Sequence, residues 1–192
     1  MLKYLIAIYF IVFGDSVFLL ECWETEVCRR ERIQWRRLWR ERGRDKGRGA
    51  VFWWRLASEM YKKGGIIQRS AAKKIHEKYS RFYSHDIGLR AWIEIGFRVY
   101  HPVGVVISDS VVIGKRFSVR QCTTIGLRTT DDPLYRIAIG NDVDIGANCV
   151  ILGSETRIGC RAKIGAMSYV CGLVPPDSTF VTDKPGRIIN EN

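Results

Sequence analysis

Three histidines and six cysteines carry most of the conspicuous chemistry in this 192-residue chain. The cysteines (Cys22, Cys28, Cys122, Cys149, Cys160 and Cys171) form no CxxC pair and have no histidine pair at zinc-ligand spacing. They read as reduced thiols used as small hydrophobes, which suits the cytoplasm. His76-Glu77 does not open an HExxH helix. A zinc centre with three histidine ligands, as in a carbonic-anhydrase-like protein, would need His76, His85 and His101 at spacings they do not have, so no metal is expected. His101 stands apart from the other two. An imidazole with an ordinary pKa near 6.5 accepts a hydroxyl proton at neutral pH, the task of a general base. The alternative for His101 is a hydrogen-bonded structural residue.

What singles out His101 is the element that must hold it. Written in sixes, the second half of the chain begins its units at Ile95, His101, Ile107, Ile113, Val119 and Ile125. After a break it continues at Ile139, Ile145, Ile151, Ile158, Ile164 and Val170. Eleven of the twelve first positions are Ile or Val, and His101 is the exception. Seven of the twelve second positions are Gly, and the fifth is mostly small or β-branched. A period of six fits neither a 3.6-residue helix nor a lone amphipathic strand. It fits a triangular β-helix whose sides are short strands and whose aliphatic rows stack inward about 4.8 Å apart. Glycine in second position is expected to serve the corner turns. The stretch LRTTDDPLYR, Leu127 to Arg136, breaks the repeat and is expected to be a loop, either for ligand contact or a tolerated insertion.

The rod needs its open end covered, and the preceding segment has the pattern to do it. Residues 50–85 read as a helical cap, with Phe52, Leu56 and Met60 on one stripe and Ile67, Ala71, Ile75 and Tyr79 on another. Residues 4–20 form a 17-residue apolar run interrupted by Gly14 and Asp15, short of the roughly 20 residues a bilayer span requires. It is open to three readings: a signal-anchor, a peripheral or buried helix, or a non-native start in which the first 49 residues lie outside the working protein. The Arg-rich segment after it would keep the rest of the chain cytoplasmic, on the inner face of the membrane, if the run inserts. The division is therefore 1–49, a helical cap at 50–85, a β-helix at 86–175 and a tail at 176–192. Net charge is +11, but residues 1–90 hold 20 Lys and Arg against 10 acidic residues, whereas residues 91–192 hold 11 against 10. With no nucleic-acid motif beside it, this basicity does not make a nucleic-acid-binding protein.

The stretches HDIGLRAWIEIGFRVYHPVGVVIS, TTIG, IGANCVILG, KIGA and VPPDSTFVTDKPGRI resemble the hexapeptide-repeat acyltransferases. The likeness is greatest to the serine acetyltransferase branch, which includes the colanic-acid and capsule enzymes. The resemblance covers about residues 50–189 and implies a left-handed parallel β-helix, a homotrimer and acetyl-CoA as acetyl donor. It places the catalytic histidine at His101 and its orienting carboxylate fifteen residues upstream, at Asp86. It places coenzyme A against Gly126, Ala147, Lys163, Gly165, Ala166 and Arg187, with the two cations meeting phosphates. Two departures bear on the acceptor. The serine enzymes carry Asp before the catalytic histidine, where this chain has Tyr100, and Arg-His before the repeat resumes, where it has Tyr135-Arg136. Those positions read serine, so the resemblance points to a hydroxyl of an exopolysaccharide or capsule sugar. Serine is the alternative, and a non-catalytic β-helix scaffold is a second class of reading.

Overall fold

The computed structural model describes residues 1–126, 137–153 and 155–183. From Asp86 onward the chain winds round a three-sided prism of short parallel strands. The first face stacks β1 (Asp86–Ile87), β4 (Val106–Ile107), β7 (Thr124–Gly126), β10 (Val150–Leu152) and β13 (Tyr169–Val170). The second stacks β2 (Trp92–Ile93), β5 (Val111–Ile113), β8 (Ile137–Ile139), β11 (Arg157–Ile158) and β14 (Leu173–Val174). The third stacks β3 (Arg98–Val99), β6 (Ser118–Val119), β9 (Asp144–Ile145), β12 (Lys163–Ile164) and β15 (Thr179–Phe180). The six-residue period is the reason: each side takes one short strand and each corner a turn.

One continuous core runs through the prism, and the aliphatic row of the repeat forms it, from Ile107, Ile113, Val119 and Ile125 through Ile139 and Ile145 to Val170. In the first coil the row follows a different frame from the one the spacing suggests. Its interior residues are Ile87, Ile93 and Val99, while Ile95 is half-buried and His101 is exposed. The cause is length. Asp86 pairs with Val106, a coil of 20 residues, whereas Val106 pairs with Thr124, a coil of 18. The two extra residues fall between β3 and β4 and push His101 out of the row and onto the surface.

Glycine also does a different job from the one expected. The left-handed corner residues are mostly not glycine: Arg116, Cys122, Asp142, Asn148, Arg161 and Met167 all have positive φ. The glycine two residues before such a corner permits close stacking of coils. A Cβ on Gly146 would sit 2.6 Å from the Ala166 nitrogen, and one on Gly140 would sit 2.7 Å from the Cys160 nitrogen.

The N-terminal end of the prism is closed by helices. These are α1 (Leu2–Phe13), α2 (Val17–Cys22), a π-helical segment (Trp23–Cys28), α3 (Trp35–Arg44), α4 (Lys46–Lys63) and α5 (Ile66–Tyr83). Helix α4 is central. Its Phe52 stacks on Trp23 and its Trp53 on Tyr79, while Val51 and Trp54 join the prism core. The expected stripe of α5 holds at Ala71 and Ile75, which are buried, but Ile67 is exposed at the helix start. The open edge of the first coil finds its partners in side chains rather than strands. Trp54 donates to Gly88 O, Ser58 to Leu89 O and Lys62 to Ala91 O. Arg55 donates to Ile93 O and Glu94 O. An exposed strand edge is an aggregation template, and these bonds remove it.

The apolar run at 4–20 is divided between α1 and α2, which with the π-helical segment meet at a bend of 100°. Among the described residues no single helix is long and apolar enough to cross a membrane. Ala7, Phe10 and Leu19 of this run are buried against the helical core, while Leu5, Ile8, Val12 and Phe13 are exposed.

Candidate active site

His101 lies in the connection from β3 to β4, at the edge shared by the third and first faces. That connection is tied back to the start of the prism. The Gly104 N–H donates to Ser84 O at 2.7 Å, and the Asp86 N–H donates to Val105 O at 2.8 Å. Asp86 opens β1 on the first face with its side chain outward, directly beside Val106. The first coil thus returns to the strand where it began, and the end of the His101 loop bonds the backbone of Ser84 and Asp86. The 20-residue coil that displaces His101 from the core also brings its loop beside Asp86. Among the described residues no carboxylate lies within ion-pair distance of His101.

The same edge carries the small residues expected to meet coenzyme A. The coils are laced along it: the Cys122 N–H donates to Val103 O, Asn148 N–H to Gln121 O and Met167 N–H to Ala147 O. Ala147, Gly165 and Ala166 therefore sit on successive levels above the His101 loop. At about 4.8 Å per coil, Gly165 and Ala166 stand about 14 Å from the level of His101. The Cys149 Sγ donates to Gly165 O at 3.1 Å, which ties the third and fourth levels together. Ala147 and Gly165 are half-buried and Ala166 is exposed, so the wall they form is shallow and faced largely by backbone.

Lys163 lies on the outer side of the third face, in register with Asp144 and Thr179. Arg98, Ser118, Asp144, Lys163 and Thr179 form one outward row. Within that row Asp144 accepts from Ser118 and Arg120 at 2.5 and 2.8 Å. Burial works against ionisation of Asp144, but those two bonds hold its carboxyl below the usual range. Arg120 in turn covers the Tyr100 ring, 5.0 Å from its centroid. Tyr100 is thus a half-exposed aromatic surface one residue before His101. Gly126 lies apart from the other small residues, at the far end of β7 and beside Leu152. Tyr135, Arg136 and Arg187 lie outside the described residues, as does the loop 127–136.

Two groups had no sequence signal. His85, next to Asp86, is buried, and neither ring nitrogen has a hydrogen-bond partner. Burial, with His76 adding to it, pushes its pKa down to about 4. Glu26 is the other. Its carboxylate is buried and takes two hydrogen bonds from Arg55 plus the N–H groups of Gly96 and Phe97. The π-helical segment is thereby pinned to the first coil just before β3. Nothing in the spacing of Glu26 and Arg55, 29 residues apart, announces this pair. Among the described residues no cluster of three metal-ligating side chains occurs.

No family model matches the chain. Among curated proteins it is 38% identical over 103 residues to the putative colanic acid biosynthesis acetyltransferase WcaB of Escherichia coli K12, covering 54% of this chain and 62% of that one. It is 33% identical over 148 residues to the serine acetyltransferase of Bacillus licheniformis, covering 76% of this chain and 65% of that one. Among solved structures, the serine acetyltransferase of Neisseria gonorrhoeae in complex with serine superposes with a TM-score of 0.72 at 28% identity, over 95% of this chain and 73% of that one. In sequence and in fold the chain matches the serine acetyltransferase branch of the hexapeptide-repeat acyltransferases. Its prism is the left-handed parallel β-helix of those enzymes. The chain spans a little under two thirds of the length of these two curated relatives.

Proposed function

We propose that this hexapeptide-repeat protein is an acetyl-CoA-dependent O-acetyltransferase with His101 as general base and Asp86 as its orienting carboxylate. The observation that carries this reading is the two-residue excess in the first coil. It leaves His101 exposed in the loop that closes on the Asp86 backbone through the Val105 carbonyl, at the foot of the edge that carries Ala147, Gly165 and Ala166, which supports the pairing. Bound acetyl-CoA supplies a thioester-activated acetyl group. His101 accepts the proton of the acceptor hydroxyl as that oxygen adds to the thioester carbonyl, and returns it to the departing sulfur. Asp86 holds the imidazole tautomer and steadies the imidazolium between those steps. Backbone N–H groups along the edge supply the oxyanion donors. Small residues at Ala147, Gly165 and Ala166 let the pantetheine arm lie against backbone, with Lys163 and Arg187 as partners for phosphates.

The acceptor we favour is a hydroxyl of an exopolysaccharide or capsule sugar. The similarity to WcaB and the Tyr100 surface beside His101 support it. Serine is the second reading, favoured by the match to a serine acetyltransferase solved with serine. A homotrimer with sites between adjacent prisms is part of the proposal. The outward row of the first face, with Val106 and Tyr169 exposed, offers an apolar side for packing. The test is thiol release from acetyl-CoA against a panel of serine, nucleotide sugars and oligosaccharides. His101→Ala is expected to lower kcat by about 10²–10⁴-fold while circular dichroism and oligomer mass stay unchanged. Wild-type turnover in the His101→Ala protein would overturn the assignment of the base.

A further inference from the structure

A cleft of about 50 Å³ opens between the start of α4 and the end of β3, immediately before His101. Arg29, Arg48, Arg98 and Tyr100 are among its lining residues. Two of the three guanidiniums are under-compensated. Neither Arg29 nor Arg98 has a carboxylate within ion-pair distance among the described residues. Arg48 spends its Nη1 on Glu41 at 2.6 Å, but its buried Nε has no hydrogen-bond partner, with Asp45 Oδ2 at 3.8 Å. Glu26, which also lines the cleft, is already committed to Arg55, Gly96 and Phe97. Asp45 is the remaining acid, and its Oδ1 accepts the Arg48 N–H at the start of α4. Partial desolvation and the nearness of Arg48 and Arg98 press the exposed Arg29 guanidinium below its ordinary pKa. Arg29 is held there by backbone as well: it ends the π-helical segment in a left-handed conformation, φ 52°.

We infer that this cleft binds a phosphate ester on the acceptor, so that the chain acetylates a phosphorylated saccharide rather than a neutral glycan or a free amino acid. The inference rests on the acetyltransferase reading for its purpose but not for its chemistry. Planar guanidiniums bind phosphate oxygens through paired charge-assisted hydrogen bonds, and a dianion can satisfy Arg29 and Arg98 together with the unpartnered Arg48 Nε where a single carboxylate has too few oxygens. A neutral sugar would leave the cluster uncompensated. The order along the chain fits one ligand. The phosphate sits between Arg29 and Arg98, the sugar ring lies on the Tyr100 face that Arg120 fixes, and the hydroxyl to be acetylated reaches His101.

The test uses the full chain and two readouts. In calorimetry, a hexose 1-phosphate is expected to bind at least tenfold more tightly than the free hexose or the hexuronate, with affinity falling as salt rises. Inorganic phosphate, as a second probe, is expected to compete. Arg29→Gln/Arg98→Gln should lose at least tenfold of that affinity at unchanged Tm, because both side chains are exposed and unpaired among the described residues. In the thiol-release assay the same variant should raise KM for a phosphorylated acceptor and leave kcat within about twofold. Equal binding of hexose and hexose 1-phosphate, tighter binding of the hexuronate, or unchanged affinity in the double variant would each overturn the inference. Calorimetry needs no acetyl transfer. A wild-type chain that turns over acceptor but binds neither hexose 1-phosphate nor inorganic phosphate defeats the subsite alone, and wild-type phosphate binding without any turnover defeats the catalytic reading alone.

Discussion

His85 and His101 share a side chain and little else. His101 is exposed at a corner, whereas His85 is sealed under Tyr83 and His76 with both nitrogens unpartnered. Burial pushes the His85 pKa down to about 4, while an unfolded histidine titrates near 6.5. Below about pH 6.5 the unfolded chain therefore binds a proton that the folded chain refuses until about pH 4. Stability is complete above about pH 6.5 and falls by about 3 kcal/mol as the pH drops toward 4. Urea titrations of wild type and His85→Phe between pH 4 and 7.5 check this. The pH slope should flatten in the variant, and a parallel slope would refute a role for His85. From the chain alone, His101 was legible because it occupies a position otherwise held by Ile and Val. Its exposure was not legible, because the two extra residues before β4 leave the spacing of the aliphatic letters almost undisturbed. His85 was not legible either, since its burial comes from helix α5 folding over it.

At the scale of elements, the join between the helices and the first coil holds the β3 strand that leads into the His101 loop. The Glu26–Arg55 pair is fully buried and hydrogen-bonded on every side. Such a pair adds little net stability compared with a well-packed apolar substitute, but removing one partner strands the other charge. Glu26→Ala should therefore cost about 3–5 kcal/mol, read as a fall in the denaturation midpoint. A change under about 1 kcal/mol would show that the π-helical segment does not hold the coil. Gly47 makes the same join tight, since a Cβ there would lie 1.9 Å from the Val99 carbonyl oxygen. Helical periodicity at Phe52, Leu56 and Met60 did announce α4. It gave no sign that Trp54, Ser58 and Lys62 on the same helix would serve the open strand edge, because their partners are backbone carbonyls, which have no letter in a sequence.

At the scale of the molecule, the prism presents unlike faces. The third is charged along Arg98, Asp144 and Lys163, and the first is apolar at Val106 and Tyr169. A trimer packed through the apolar side would sediment at about three times the 22.1 kDa chain mass. Tyr169→Glu should shift that species toward monomer and lower turnover with it, if the site lies between subunits. A fully active monomer in sedimentation velocity would remove the trimer from the mechanism.

The sequence by itself determined the prism, since a six-residue aliphatic period has only one inexpensive way to bury every repeat. It also determined which residue breaks that period. Tertiary structure alone decided that the break faces solvent, that Asp86 meets its loop, and that Arg29, Arg48 and Arg98 converge beside it. Each of these depends on which coil and which helix lie next to one another in space. Stacking and docking set those neighbours, and residue spacing within one strand does not record them.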